Sequence, residues 1–146
     1  MSNRPHLLPL TVYWEDTDAA GIVYYANYLK FLERGRSEMV RAAGLDQFQL
    51  LSRDGLVFAV KRCLIDYLVP AVLGDRLTVV TRIATVRGAS LDLDQTVCRG
   101  ETDLVRAELK LACLSREGKP TRLPAEVKRL FDDLAGDGGN GPAAST

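Results

Sequence analysis

The chain has 146 residues, 47% hydrophobic and 26% charged, which suits one globular domain and argues against disorder, collagen or a coiled coil. Nineteen Lys and Arg balance nineteen Asp and Glu, so there is no basic field of the kind that holds nucleic acid or an anionic membrane surface. The single histidine, His6, stands near the start, and a Ser-His-Asp or Cys-His mechanism, or a His-built zinc site, would have to be assembled from it.

Met1 to Pro9 has no apolar h-region or small-residue cleavage site, and no apolar run approaches the roughly 18 residues of a membrane span. Leu10 to Glu15 is β-rich and reads as a strand, followed by a loop from Asp16 to Val23 marked by Asp-Thr-Asp and Gly21. From about Tyr25 the period changes to 3.6. Tyr28, Phe31, Leu32, Gly35, Met39 and Ala43 share one face, and Lys30, Arg34, Ser37, Glu38 and Arg41 fall largely on the other. Gly44 is a natural stop for this helix of about 19 residues. Gly35, on the apolar face, costs about 1 kcal/mol relative to Ala, which predicts close approach of another backbone, such as a sheet wrapping the helix.

Asp46 to Arg53 reads as a short second helix. Val57 to Val69, Arg76 to Arg87, Ser90 to Arg99 and Leu104 to Leu114 read as strands, and Ala125 to Leu134 as a closing helix. The alternation is clearest in the last strand, where Val105, Ala107, Leu109, Leu111 and Cys113 oppose Arg106, Glu108 and Lys110. Short connections predict antiparallel neighbours. The expected class is α+β: one domain over 1–135, a five-stranded antiparallel sheet with one long helix across it, and a disordered tail over 136–146. One helix leaves a sheet face and edges uncovered, so self-association is expected. Cys63, Cys98 and Cys113 form no C-x-x-C pair and read as buried reduced thiols of a cytoplasmic protein.

The most informative segment for chemistry runs from Tyr13 to Tyr28. An acidic cluster, Glu15, Asp16 and Asp18, leaves a strand, crosses a small-residue loop and meets the start of the main helix. That start exposes unpaired N–H groups and a partial positive charge, which favour a polarised oxygen. A carboxylate beside such donors serves as base or nucleophile while the amides stabilise an oxyanion. The alternative is that Asp16 and Asp18 only shape a turn.

The run Glu-Asp-Thr-Asp-x-x-Gly-x-Val-Tyr-x-x-x-Tyr, continuing into Phe31-Leu32-Glu33-Arg34-Gly35-Arg36-Ser37-Glu38-Met39, resembles the hotdog-fold acyl-CoA thioesterases. The branch it is most similar to is the YbgC-like, Tol-Pal-associated group related to 4-hydroxybenzoyl-CoA thioesterase. The resemblance covers about Leu10 to Leu134 and includes Val86-Arg87-Gly88-Ala89-Ser90, similar to that branch's Arg-Gly-x-Ser turn. It implies a hotdog fold, with a five-stranded sheet wrapped around one long helix, and hydrolysis of an acyl-CoA to free acid and coenzyme A without metal or redox cofactor. By position it implies Asp18 as catalytic carboxylate, either general base or nucleophile, and the backbone N–H near Tyr25 as the group polarising the thioester. The chain departs from its branch at Tyr25, where that branch often has His, and packing of the Tyr25 ring in the core is an equal reading. Arg87 and Ser90, with Arg62 as a poorer candidate, are expected at the coenzyme A phosphates. Asn27 is a substrate-binding candidate, and Glu33 reads as a surface pair with Arg36. Tyr13, Trp14 and Tyr24 read as packing. The expected assembly is a dimer with shared active sites, or a tetramer. Alternatives are an acyl carrier protein thioesterase and a non-hydrolytic module of the cell envelope.

Overall fold

The computed structural model describes residues 4–136. Five strands, β1 (His6–Thr11), β2 (Val57–Tyr67), β3 (Arg76–Val86), β4 (Ser90–Arg99) and β5 (Thr102–Leu114), form one antiparallel sheet. The long helix α1 (Asn27–Ala42) lies across it, and α3 (Ala125–Leu134) closes one end. Between them α2 (Gln47–Gln49), capped by the Asp46 carboxylate, runs into a π-helical turn over Leu50–Asp54.

The first strand starts and stops earlier than the composition of 10–15 predicts. Trp14–Asp16 is instead a 3-10 turn, because the Tyr13 amide donates to Asp16 Oδ2 at 2.8 Å and the Asp16 amide donates to the Tyr13 carbonyl at 3.0 Å. Pro9 lies within β1, which an edge strand tolerates. Helix α1 has 16 residues and begins at Asn27, two residues late, since Tyr24 to Ala26 form i→i+3 turns ahead of it. It ends as expected. Gly44 takes φ 100°, its amide donates to Arg41 and that of Leu45 to Val40, the paired bonds of a Schellman stop.

The strand order β1-β3-β4-β5-β2 corrects the expectation of sequential neighbours: β2 and β3 adjoin in sequence but not in the sheet. The link from 68 to 75 crosses the sheet end instead. Its backbone is held at Leu104 by Leu68 and Val69, at Val23 by Ala71, and at Val12 by Gly74 and Asp75. Arg99 clamps it further, through Asp75 at 2.7 Å.

Tyr28, Phe31, Leu32, Gly35, Met39 and Val40 of α1 are buried on the inner face of the sheet, while Ala43 is only half-buried. Burying Phe31 and Leu32 contributes about 1.5–3 kcal/mol each. At Gly35 a Cβ would stand 2.5 Å from Val79 Cγ1 and 3.2 Å from Thr81 Oγ1, so side chains of β3 rather than another backbone demand the glycine. Gln95 is fully buried between the layers; its Nε2 donates to the Leu32 carbonyl and to Thr81 Oγ1, both at 2.9 Å.

The cysteines depart from expectation in part. All three are free, but only Cys113 is buried, and Cys63 is exposed on the uncovered edge strand β2. No helix among the described residues is long and apolar enough to cross a membrane. The expected tail lies outside the described residues except for Gly136, which is buried at φ 91° and closes α3.

Candidate active site

Residues 16–24 form a small hairpin. Thr17 and Val23 pair across it, the Asp18 amide donates to the Ile22 carbonyl, and the Tyr24 amide donates to the Asp16 carbonyl. Asp18 is exposed at its tip, with Oδ1 accepting the Ala20 amide at 2.9 Å. That bond is the turn-shaping role foreseen for it, and it also fixes the carboxylate's direction, leaving Oδ2 toward solvent. Asp16 is the buried carboxylate of the pair and is committed to the Tyr13 amide.

The hairpin delivers the chain into α1 through Tyr24 to Ala26. The Tyr24 carbonyl accepts the Asn27 amide at 2.8 Å, and the Tyr25 carbonyl accepts the Tyr28 amide at 3.4 Å and the Tyr67 hydroxyl at 3.2 Å. The amides of Tyr25 and Ala26 have no partner among the described residues. Ile22, opposite Asp18, is three residues from Tyr25, a reach of about 10 Å along the chain between the hairpin tip and these donors. A carboxylate and two oriented N–H groups at that spacing are the parts needed to deliver water, or the carboxylate itself, to a carbonyl carbon while its oxygen is stabilised.

The Tyr25 ring is 62% exposed, which corrects the core-packing reading. It meets Tyr24 edge-on at 5.2 Å and Tyr67 at 5.8 Å, so an aromatic wall continues from the helix start onto the end of β2. Tyr13, Trp14 and Tyr24 are likewise exposed rather than packed, Trp14 at 80%, because the turn at Trp14 carries the chain past the end of the sheet. Tyr28 anchors the site from below. It is buried, its hydroxyl oxygen accepts the Ala71 amide at 3.1 Å, and burial pushes its phenol pKa up.

Asn27 has its amide nitrogen committed, with Nδ2 donating to the Asp16 carbonyl at 2.9 Å, so it ties the helix to the hairpin. Glu33 pairs with Ser37 and not Arg36, whose guanidinium turns inward to Gln95 Oε1 at 3.5 Å. Arg87 holds Asp92 at 2.8 Å with about half its side chain exposed, and its amide donates to the Ser90 carbonyl. Arg62 is exposed on β2. His6 lies at the far end of β1 from the hairpin.

Arg87 and Ser90 do not join Asp18 within one chain. The link before β3 is bonded to the hairpin, and β3 then runs 11 residues to Val86, a separation of roughly 30 Å. Two polar anchors of α1 and its start escaped the sequence reading, Tyr67, which bonds the Tyr25 carbonyl, and Gln95, which bonds the Leu32 carbonyl in the core. Strand alternation carries a signal for Gln95, a polar residue in register with Leu91, Leu93 and Val97. Tyr67 gives none, since its partner is a main-chain carbonyl 42 residues away.

A family model described as thioesterase-like superfamily matches residues 12–131. The Haemophilus influenzae protein named acyl-CoA thioesterase YbgC is 43% identical over 127 residues, 86% of this chain and 93% of that protein. Its Escherichia coli counterpart, named acyl-CoA thioester hydrolase YbgC, is 39% identical over 84% of this chain and 92% of its own length. Among solved structures, a probable thioesterase from Bartonella henselae aligns with TM-score 0.75 at 40% identity, covering 84% of this chain and 100% of that one.

Proposed function

The chain belongs to the thioesterase-like superfamily, and from that premise we propose that it hydrolyses acyl-CoA thioesters to the free acid and coenzyme A. The observation that carries this reading is the hairpin that joins an exposed Asp18 carboxylate to the amides of Tyr25 and Ala26, which have no partner among the described residues. The thioester oxygen accepts from those amides, whose charge complementarity is greatest when the oxygen turns anionic. Asp18 takes a proton from the attacking water, or attacks the carbonyl carbon itself to form a mixed anhydride, which water then hydrolyses to the free acid and the regenerated carboxylate once the thiolate has left. Collapse of the intermediate expels the coenzyme A thiolate. Tyr25 contributes its backbone, and its ring walls the site.

Arg87 and Ser90 enter this site from a second copy. Strand β2 is an open edge with exposed Val60, Leu64 and Tyr67, the kind of edge that pairs with another chain. Its Val57 end aligns, through Ala59 and Ala112, with Ser90, and its Tyr67 end adjoins Tyr25. Antiparallel pairing of two β2 edges therefore carries the Arg87–Ser90 end of one copy toward the Asp18 end of the other. The free cysteines fit a reducing, cytoplasmic setting.

Thiol release across a panel of acyl-CoA and acyl carrier protein substrates tests the reading, with Asp18→Asn beside the wild type. Loss of a positioned base or nucleophile should lower kcat by about 10²- to 10⁴-fold. Retention of more than a third of wild-type kcat removes Asp18 from the mechanism. Binding of acyl-CoA by the wild type without thiol release would identify a non-hydrolytic module.

A further inference from the structure

Resting on that assignment of the amides, we infer that Tyr67 is a positioning residue that orients one of the two oxyanion donors, the Ala26 amide, from the edge strand. In a trans peptide the N–H and C=O point in opposite directions, and no cis peptide occurs among the described residues. Anchoring a carbonyl therefore aims the amide of the next residue. The Tyr25 amide is aimed by the Tyr24 carbonyl, which the Asn27 amide holds at 2.8 Å. The Ala26 amide is aimed by the Tyr25 carbonyl, and here the main chain supplies only the long 3.4 Å bond from Tyr28. The Tyr67 hydroxyl is the closer donor, at 3.2 Å.

The ring of Tyr67 is itself held. It stands edge-on to Tyr25 at 5.8 Å and tilted against Tyr28 at 5.7 Å, and Tyr28 is fixed by burial and the Ala71 amide. Partial burial raises the Tyr67 phenol pKa, so the hydroxyl keeps its proton and remains a donor at neutral pH. The position matters because Tyr67 ends β2, the open edge on which a second copy would dock.

Tyr67→Phe keeps the ring contacts and deletes the hydrogen bond. The expected result is a kcat about three- to tenfold below wild type, the range of one lost hydrogen bond, with KM unchanged and the melting temperature within a few degrees of wild type. A second readout is the carbonyl stretch of an acyl-CoA bound to Asp18→Asn protein. It should lie below its solution value and return toward it when Tyr67→Phe is added. A Tyr67→Phe enzyme within twofold of wild-type kcat, a raised KM at full kcat, or an unmoved carbonyl stretch overturns the inference and leaves the thioesterase reading intact. A wild type that releases no thiol overturns the thioesterase reading, and the carbonyl stretch then still decides whether Tyr67 acts on the donors.

Discussion

Asp16 and Asp18 stand two residues apart in one hairpin and are held in opposite ways. The buried Asp16 carboxylate closes the turn at Tyr13, while its main-chain carbonyl gathers Tyr24 and Asn27; the Asp18 carboxylate is exposed and, among the described residues, accepts only the Ala20 amide. Asp16→Asn keeps one acceptor oxygen but loses the charge assistance in the half-buried bond to the Tyr13 amide. It should lower stability by about 1 kcal/mol, read as a fall in melting temperature, with a kcat well above that of Asp18→Asn. An inactive, fully stable Asp16→Asn protein would move the reacting carboxylate to Asp16. The run from Glu15 to Tyr28 made this site legible in the sequence as a place. The role of Asn27 was not legible, because its Nδ2 answers to a main-chain oxygen 11 residues away, a partner that residue type does not announce.

At the scale of elements, period and alternation marked β2 to β5 and both long helices, whereas the β-rich composition of 10–15 set the first strand four residues too late, because the Asp16 carboxylate folds Trp14–Asp16 into a turn. Strand order was not legible. It depends on main-chain bonds from the 68–75 link to Val12, Val23 and Leu104, and such bonds leave no trace in side-chain pattern. The outer face of the sheet carries a consequence of that order. Pairing β4 with β5 sets Asp94 directly opposite Glu108, and burial, then Glu108, raise the Asp94 pKa. A carboxyl whose folded pKa is raised destabilises the fold when ionised, so the penalty is full above that pKa and vanishes as acid protonates the group. Asp94→Asn should therefore stabilise the protein at neutral pH, by roughly 0.5 kcal/mol for one opposed like-charge pair. Thermal melts from pH 7 downward should show the gain shrinking as Asp94 in the wild type takes up its proton. A gain that persists or grows in acid would mean that the charge of Asp94 is not its cause.

For the whole molecule, the roughly 30 Å between the Asp18 hairpin and the Arg87–Ser90 turn makes the single chain an incomplete enzyme if both ends serve one substrate. Pairing through β2 resolves this, and subunit mixing tests it. Sedimentation equilibrium should first show a species of at least twice the 16.0 kDa chain mass. On the proposed mechanism Asp18→Asn removes the reacting group, whereas Arg87→Ala would remove a phosphate contact of equal strength in ground and transition states and so raise KM, less strongly as salt increases. Assayed at substrate far below KM, each variant alone is slow. In a mixed dimer, one site takes Asp18 from the Arg87→Ala chain and Arg87 from the Asp18→Asn chain and is therefore intact; the other carries both defects. Random exchange in an equal mixture makes about half the dimers mixed, so about a quarter of wild-type sites should return. Activity equal to the average of the two separate variants, after exchange shown by mass-tagged chains, would place both residues in single-chain sites or take Arg87 out of substrate binding. A KM for Arg87→Ala equal to wild type at low ionic strength distinguishes the second case, leaving Arg87 as the surface partner of Asp92.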